Sequence, residues 1–348
     1  MRSAIKVLVV DDSALTRQIL TRALSVDPAI EVVGAARTGV EAIERALSLE
    51  PDVITLDIEM PELTGLEALP HIMRASDARV IMLSAVDDPD TTYQALDLGA
   101  TDFIVKPVEG FATSIAELSE VLLKKIKTAY RVRPELRRIG HPVPTVLAAV
   151  DAIGRGATPP GRLVAIAAST GGPPALEAVF SGLASGLDAA YLVVQHLPHG
   201  FTGSLARRLA RTTDLEFVIA ENGMYVERDA VYVAPHGHHM VVGGRRAMRI
   251  TLEDTPSMHG VRPAADPLFE SVAGMAGAAS VGVVLTGMGS DGARGARAIL
   301  DAGGTTIVQD EATSVVWGMP GATVRAGAAM RVAPLESVAR EIRRTLRG

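Results

Sequence analysis

A chain of 348 residues, 48% of them hydrophobic, is long for one core and sufficient for two. The absence of cysteine excludes a disulfide framework, a thiolate metal site and a thiol nucleophile. No apolar run is long enough to span a bilayer, and the opening "MRSAIKVLVVDD" meets two aspartates too early for a secretory signal, so a cytoplasmic enzyme or switch is expected. Charge falls in three blocks: 21 acidic against 9 basic residues over 1–123, 2 against 8 over 124–160, and 17 against 17 over 161–348. An acidic domain, a basic connector and a neutral domain follow from that pattern. The connector carries one aromatic, Tyr130, and no nucleic-acid motif, which argues for a solvated linker and against a nucleic-acid partner.

In the acidic block, "IKVLVV" runs into Asp11 and Asp12 and "DVITLDIEMP" reaches Asp57. "RVIMLSAV" ends near Ser84, and "TDFIVKPV" ends at Lys106 and Pro107. Helical patterns such as "LTRQILTRAL" and "TGVEAIERAL" lie between these β-branched runs, which predicts parallel βαβ units with helices on both faces. Such sheets bind ligands beyond the carboxyl ends of their strands, where each run carries its polar residue. Three carboxylates gathered there repel one another and suit a hard divalent cation, Mg²⁺ above all. With the cation bound, Asp57 is a nucleophile for a phosphoryl donor, Lys106 an ion-pair partner and Ser84 a hydroxyl donor to a phosphoryl oxygen. Taken singly, each aspartate reads equally well as a helix cap and Lys106 as a surface residue.

The set "VDDS", "LDIEMP", "MLSA" and "FIVKP" resembles a response-regulator receiver domain. That resemblance implies Asp57 as phosphoacceptor, Asp11 and Asp12 as the acidic metal pair and the Glu59 carbonyl as a further ligand. It implies Ser84 and Lys106 as switch residues and Phe103 as the aromatic that reorients. "PELTG" departs from the pattern, with Thr64 before the glycine where receivers often have aspartate.

From about Lys124 to Gly161 periodicity fades into Pro-, Gly- and Arg-rich linker composition, with a short apolar helix suggested by "VPTVLAAVDAIG". Beyond it, "LVAIAAS" ends at Ser169, "AAYLVVQH" at His196 and "VGVVLTGMGSD" at Asp291. Helical patterns follow the first and third runs, so a second open, largely parallel sheet is expected, with all three residues at one edge. A serine hydroxyl attacks only when a base takes its proton; His196 would do so, with Asp291 fixing its tautomer. Gly-rich turns such as "TGMGSDG" bring backbone N–H groups close enough to stabilise an oxyanion. Alone, Ser169 reads as an N-cap before Pro173 and Pro174, or as part of a phosphate cradle without a P-loop lysine. His196 alone reads as a buried histidine and Asp291 as a helix cap. The order Ser, His, Asp and the Ala167 of "AASTG" both depart from the α/β-hydrolase elbow. His236, His238 and His239 in "APHGHHM" invite a metal reading, but no H-E-x-x-H spacing or thiolate supports one, and a polar loop is expected.

"ASTGGPPAL", "VVQHLPHGFT", "APHGHHM", "VRPAADPLF", "LTGMGSDGARG" and "VWGMPGA", in that order, resemble the catalytic domain of chemotaxis protein-glutamate methylesterases, the CheB family. The resemblance implies Ser169, His196 and Asp291 as the triad, Thr170 and Met288 as flanking residues, and the Met288 N–H as oxyanion donor. It implies hydrolysis of glutamate γ-methyl esters on the cytoplasmic helices of chemoreceptors, deamidation of receptor glutamines, and a histidine kinase as phosphodonor. It also implies an unphosphorylated receiver that restrains the esterase. The expected architecture is α/β: two doubly wound, mainly parallel-sheet domains, a flavodoxin-like receiver at 1–125 and a Rossmann-like methylesterase domain at 161–348, joined by a linker at 126–160. Mg²⁺ is expected for receiver phosphorylation, no cofactor for ester hydrolysis, and no membrane insertion. A receiver-linked adaptor without catalysis is the alternative, which the three site residues argue against.

Overall fold

The computed structural model describes residues 4–84, 89–106, 114–132, 159–244 and 247–348. They fall into two compact units, Met1–His141 and Pro142–Gly348. The first is a parallel sheet of β1 (Ile5–Val10), β2 (Ile30–Ala36), β3 (Val53–Asp57), β4 (Arg79–Ser84) and β5 (Asp102–Val105) in the order β2-β1-β3-β4-β5. Helices α1 (Ala14–Leu24), α2 (Gly39–Leu49), α3 (Gly65–Ala75), α4 (Pro89–Asp97) and α5 (Ser114–Ala129) connect and follow the strands. Strands covered on both faces need largely apolar runs, which β3, β4 and, past the exposed Lys6, β1 have. Val7, Val9 and Ile81 pack with Leu24 of α1 and Leu122 and Ile126 of α5 in one cluster. Each such side chain contributes about 1.5–3 kcal/mol on burial.

Local chemistry sets where the helices begin. The hydroxyls of Ser13, Thr38 and Thr64 accept from the backbone N–H three residues on, opening α1, α2 and α3. Thr64 and Glu67 form a reciprocal capping box, which explains a threonine before Gly65. The final helix α5 runs to Ala129, and the Val132 carbonyl beyond it accepts from Arg79 Nε and Nη2 at 3.0 and 2.8 Å. The helix suggested over 143–154 lies outside the described residues.

The second unit is a seven-stranded parallel sheet. Its strands are β6 (Arg162–Ala168), β7 (Ala189–Gln195), β8 (Glu216–Ile219), β9 (Ala230–Val233), β12 (Ser280–Val284), β13 (Thr305–Gln309) and β14 (Arg331–Ala333). They are ordered β14-β13-β12-β6-β7-β9-β8. An antiparallel hairpin, β10 (His239–Gly243) with β11 (Arg249–Glu253), stands outside it and was not expected from the sequence. Helices α6 (Gly172–Phe180), α7 (Thr202–Leu209), α8 (Ala265–Ala276), α9 (Ala293–Asp301), α10 (Met319–Arg325) and α11 (Leu335–Arg347) complete it. The chain runs one way from β6 through β7 to β9 and the other way from β12 through β13 to β14. The reversal falls between β6 and β12, where such sheets open a crevice.

Candidate functional site

In the first unit the reversal lies between β1 and β3, whose ends carry Asp11 and Asp57. The carboxylates of Asp11, Asp12 and Asp57 lie within 4.8 Å of one another. Asp11 and Asp57 are buried and Asp12 is exposed. Lys106, at the end of β5, places Nζ 2.5 Å from Asp57 Oδ2 and 2.9 Å from Asp11 Oδ2. Arg17 Nη1 donates to the carbonyls of Asp11 and Asp12 at 2.7 and 2.8 Å and holds that turn.

One ammonium is thus shared by two carboxylates, with the third, Asp12, close by. Burial raises the pKa of Asp57 to about 6; Lys106 opposes the shift, while the charges of Asp11 and Asp12 add to it. Burial works against the Lys106 charge too, but the hydrogen bonds and charges of Asp57 and Asp11 outweigh it and hold its pKa above the ordinary lysine value. The donors are all oxygens, crowded and short of positive charge, which fits a hard divalent cation. Gly65 lies so close that an added Cβ would stand 1.7 Å from the Asp57 carbonyl oxygen, and its N–H donates to the Ile58 carbonyl at 2.9 Å. Only glycine lets α3 approach the acidic edge this closely.

The other receiver residues take distinct places. The Ser84 hydroxyl bonds the Thr92 hydroxyl of α4 at 2.5 Å. Phe103 is buried, with the Lys125 ammonium 5.6 Å from its ring centroid. Glu59 lies on the turn after β3 with its residue exposed.

In the second unit Ser169 follows β6 and His196 follows β7. These strands are neighbours, with Ala168 paired to Gln195, so the two residues emerge side by side. The buried Gln195 side chain ties them together, Nε2 donating to the carbonyls of Ser169 at 2.9 Å and His196 at 3.1 Å. Ser169 is not the cap of α6. That place belongs to Gly171, at φ 75°, and no side chain caps the helix there.

Asp291 is not at a strand end, as the sequence suggested. β12 stops at Val284, and Asp291 lies seven residues later, in the loop before α9. It returns to the edge by another route. Its Oδ2 accepts from the Ala265 N–H at 2.7 Å, and its Oδ1 from the Asp266 and Gly292 N–H groups at 3.1 and 2.9 Å. Ala265 and Asp266 open α8, so Asp291 fills the positive end of a helix other than the one it precedes. His196 Nε2 lies 2.8 Å from Asp291 Oδ2, which leaves Nδ1 as the ring nitrogen free to face a hydroxyl. Burial alone would raise the Asp291 pKa, but the His196 hydrogen bond and charge and the Ala265 and Asp266 N–H groups hold it below the usual carboxylate value.

Thr286 joins the remaining loops. Its carbonyl accepts from the Ser169 N–H at 3.0 Å, its hydroxyl donates to the Thr170 carbonyl at 2.9 Å, and that hydroxyl accepts from the Val316 N–H at 2.9 Å. Thr170 is itself buried. Met288 follows Gly287, where an added Cβ would come within 2.8 Å of Ser169 Cβ, so a glycine is what lets the Met288 loop lie against the serine.

The three histidines of "APHGHHM" separate. His236 Nδ1 bonds the Leu197 carbonyl at 2.9 Å, and His238 Nδ1 pairs with Asp254 at 2.6 Å. His239 is no loop residue: it is buried in β10, with Nδ1 accepting from the Ala264 N–H at 3.0 Å and Nε2 donating to the Pro256 carbonyl at 3.1 Å. No common ion is served. Sequence reasoning passed over Gln195, Thr286, Asp266 and His259, all of which touch this site. His259 Nε2 lies 2.8 Å from Asp266 Oδ2 and 3.9 Å from Asp291 Oδ1. With Asp266 and Asp291 it makes a compact group whose atoms are committed to one another and to backbone N–H groups.

A receiver-type acidic edge in one parallel sheet and a Ser-His-Asp edge in a second define a two-domain response regulator with an α/β effector. Comparison with known proteins agrees. The family model for the response regulator receiver domain matches residues 7–113, and that for CheB methylesterase matches residues 164–342. A protein-glutamate methylesterase/protein-glutamine glutaminase of Pyrococcus horikoshii is 46% identical over 97% of this chain and 92% of its own length. One of the same name from Symbiobacterium thermophilum is 43% identical over 98% of this chain and 97% of its own. The crystal structure of the Thermotoga maritima CheB methylesterase catalytic domain covers 53% of this chain and 98% of its own, at 35% identity and a TM-score of 0.51. The chain belongs to the CheB methylesterase family.

Proposed function

We propose that this protein is a phosphorylation-regulated protein-glutamate methylesterase that also deamidates glutamine. Its substrates are γ-methyl esters, and γ-amides, on the cytoplasmic helices of chemoreceptors. The observation that carries this reading is the 2.8 Å His196–Asp291 pair beside Ser169 at the crevice of a parallel sheet. Ser169 Oγ attacks the γ-carbonyl while His196 Nδ1 takes its proton. Asp291 holds the ring by Nε2 and stabilises the imidazolium that forms. The Met288 backbone N–H, on the loop that Gly287 lets approach, receives the developing oxyanion. His196 returns the proton to methoxide, or to the departing amine of an amide, and methanol or ammonia leaves. Water, activated by the same imidazole, then releases glutamate from the acyl-serine.

At the other edge, Asp57 accepts a phosphoryl group from the histidine kinase of the pathway or from a small phosphodonor. Asp11, Asp12, Asp57 and the Glu59 carbonyl would hold Mg²⁺, which supplies charge neutralisation on the phosphoryl oxygens when bound. Lys106 pairs with the charge on the modified Asp57. The Ser84 hydroxyl exchanges Thr92 for a phosphoryl oxygen, and Phe103 moves with it. Methanol release from methylated receptor membranes, with and without phosphodonor, tests the reading. Release that is absent in both conditions overturns it.

A further inference from the structure

Two carboxylates, not one, are buried at the esterase edge. Asp266 and Asp291 are each 1% exposed, and the Asp266 N–H donates to Asp291 Oδ1 at 3.1 Å. Each carboxylate has its own imidazole: His196 on Asp291 and His259 on Asp266, both at 2.8 Å. Asp266 Oδ1 is further held by the Gly295 N–H at 2.8 Å. The other charged groups facing the pair do not replace His259. Arg294 Nε is 3.9 Å from Asp266, is largely exposed and lies nearer to Glu270, at 2.6 Å. Arg262 Nη1 is bound to the carbonyls of Asp254 and Thr255, and His239 is bound through both of its ring nitrogens.

His259 sits in a turn that does not favour it. Its φ is 55° and that of Gly260 is 75°. The turn is closed by reciprocal Met258–Val261 backbone bonds of 3.1 and 2.9 Å. Two left-handed residues in succession favour Asn-Gly at such a turn. A histidine there presents its ring to Asp266 at some backbone cost.

We propose that His259 is a positioning residue for the esterase: with Asp266 it forms a second imidazole–carboxylate pair that screens the Asp266 charge from Asp291 and so sets the basicity of His196. Without that screen, a bare carboxylate beside Asp291 adds negative potential at the His196 ring and over-stabilises its imidazolium. The base then stays protonated to higher pH and takes the Ser169 proton less readily.

The inference rests on the esterase reading for its kinetic arm alone. In full-length protein, His259→Asn keeps a residue suited to the turn and removes the imidazole. The acid limb of the kcat/KM profile for ester hydrolysis should move up by about one pH unit, with little change in KM. The double variant His259→Asn/Asp266→Asn replaces the pair by two neutral groups and should bring the limb back to the parent position. The His196 ring-proton titration, followed by NMR and assigned with His196→Gln, should shift in the same way and needs no substrate. A parent without ester hydrolysis overturns the esterase reading and leaves the NMR arm to decide this one. A His196 titration unmoved in His259→Asn, a uniform loss of rate at all pH values, or a double variant that fails to restore the limb overturns the proposal.

Discussion

Asp57, at the end of β3, and Asp291, in the loop that follows β12, both lie at the edge of a parallel sheet and live in opposite electrostatic surroundings. Both are buried beside a nitrogen base. Asp57 shares one ammonium with Asp11 beside the charge of Asp12, and burial drives its pKa to about 6. Asp291 is met by three backbone N–H groups and an imidazole; the imidazole and the Ala265 and Asp266 N–H groups hold its pKa down despite burial. The difference matches the two kinds of work proposed for them. A carboxylate that is to react, or to gain a cation, is kept short of partners. A carboxylate that only orients a base is fully partnered, so its charge and geometry do not change during the reaction. A sheet edge supplies the location; the neighbours decide the chemistry.

The sharpest test of the esterase half of that contrast is removal of the nucleophile. Ser169→Ala should lower kcat by roughly 10⁴-fold or more, because the members of a triad act as a unit. His196→Ala should cost nearly as much, and the double variant little beyond either single one. Methanol release by Ser169→Ala near the parent rate would remove Ser169 from the chemistry.

On the receiver edge, Asp57→Asn should abolish labelling by a small phosphodonor and, with it, the stimulation of ester hydrolysis. That stimulation is expected to lie within about 5–150-fold, the usual range for coupling between sites. The adduct should be acid-stable and base-labile and should require a divalent cation. Labelling that survives either the substitution or chelation assigns the phosphoryl group elsewhere.

A smaller effect is expected between β6 and β7. Gln195→Leu removes the amide that joins the carbonyls of Ser169 and His196, taking that donor from both and leaving the Ser169 carbonyl with the Gly172 N–H at 2.7 Å. A loss of about 1–3 kcal/mol in stability is expected. Where Ser169 and His196 drift apart, kcat should fall by roughly 10–100-fold with KM little changed. An unchanged kcat would show that the strands hold the two residues without the amide.

Which parts of this arrangement could be read from the sequence follows from how far each contact reaches along the chain. Strands that lead to Asp57, Ser169 and His196 announce themselves, because a covered parallel strand is largely apolar up to the edge and the polar residues gathered there mark it. Asp291 announced its chemistry but not its place. It comes back through contacts with Ala265 and Asp266 about 25 residues earlier, which no local pattern encodes. His259 was silent for the same reason, although "MHGV" carried a turn signal in its His-Gly pair. Gln195 left a clue that was passed over: a polar side chain closing the apolar run "AAYLVVQ" had to find partners on burial. The hairpin β10–β11 hid behind "APHGHHM", where three histidines within four residues suggested polar loop chemistry and one of them, His239, proved to be a buried brace for α8.

The least drastic prediction strikes at the comparison itself, through stability in place of activity. The Asp57 pKa lies above that of an unfolded aspartate, so between roughly pH 4 and 6 the folded protein holds a proton that the unfolded chain has released. What this group contributes to stability is therefore present in full at low pH and lost as pH rises through about 6. Asp291 has the reverse sign: its pKa is lowered, so its contribution is present above the unfolded value and lost as pH falls through the folded one. Without divalent cation at pH 7.5, Asp57→Asn should therefore raise the urea midpoint of the first unit, by an amount equivalent to about 1–3 kcal/mol. That gain should vanish near pH 4 and shrink when Mg²⁺ is added, since only the parent retains the full set of charges. Asp291→Asn should lower the midpoint of the second unit at pH 7.5 by about 1–2 kcal/mol and approach the parent at low pH. Two aspartate-to-asparagine changes, one at each sheet edge, should thus move stability in opposite directions. If both destabilise at neutral pH, the Asp57 edge is as well partnered as the Asp291 edge, and its carboxylate is not held in reserve for a phosphoryl group or a cation.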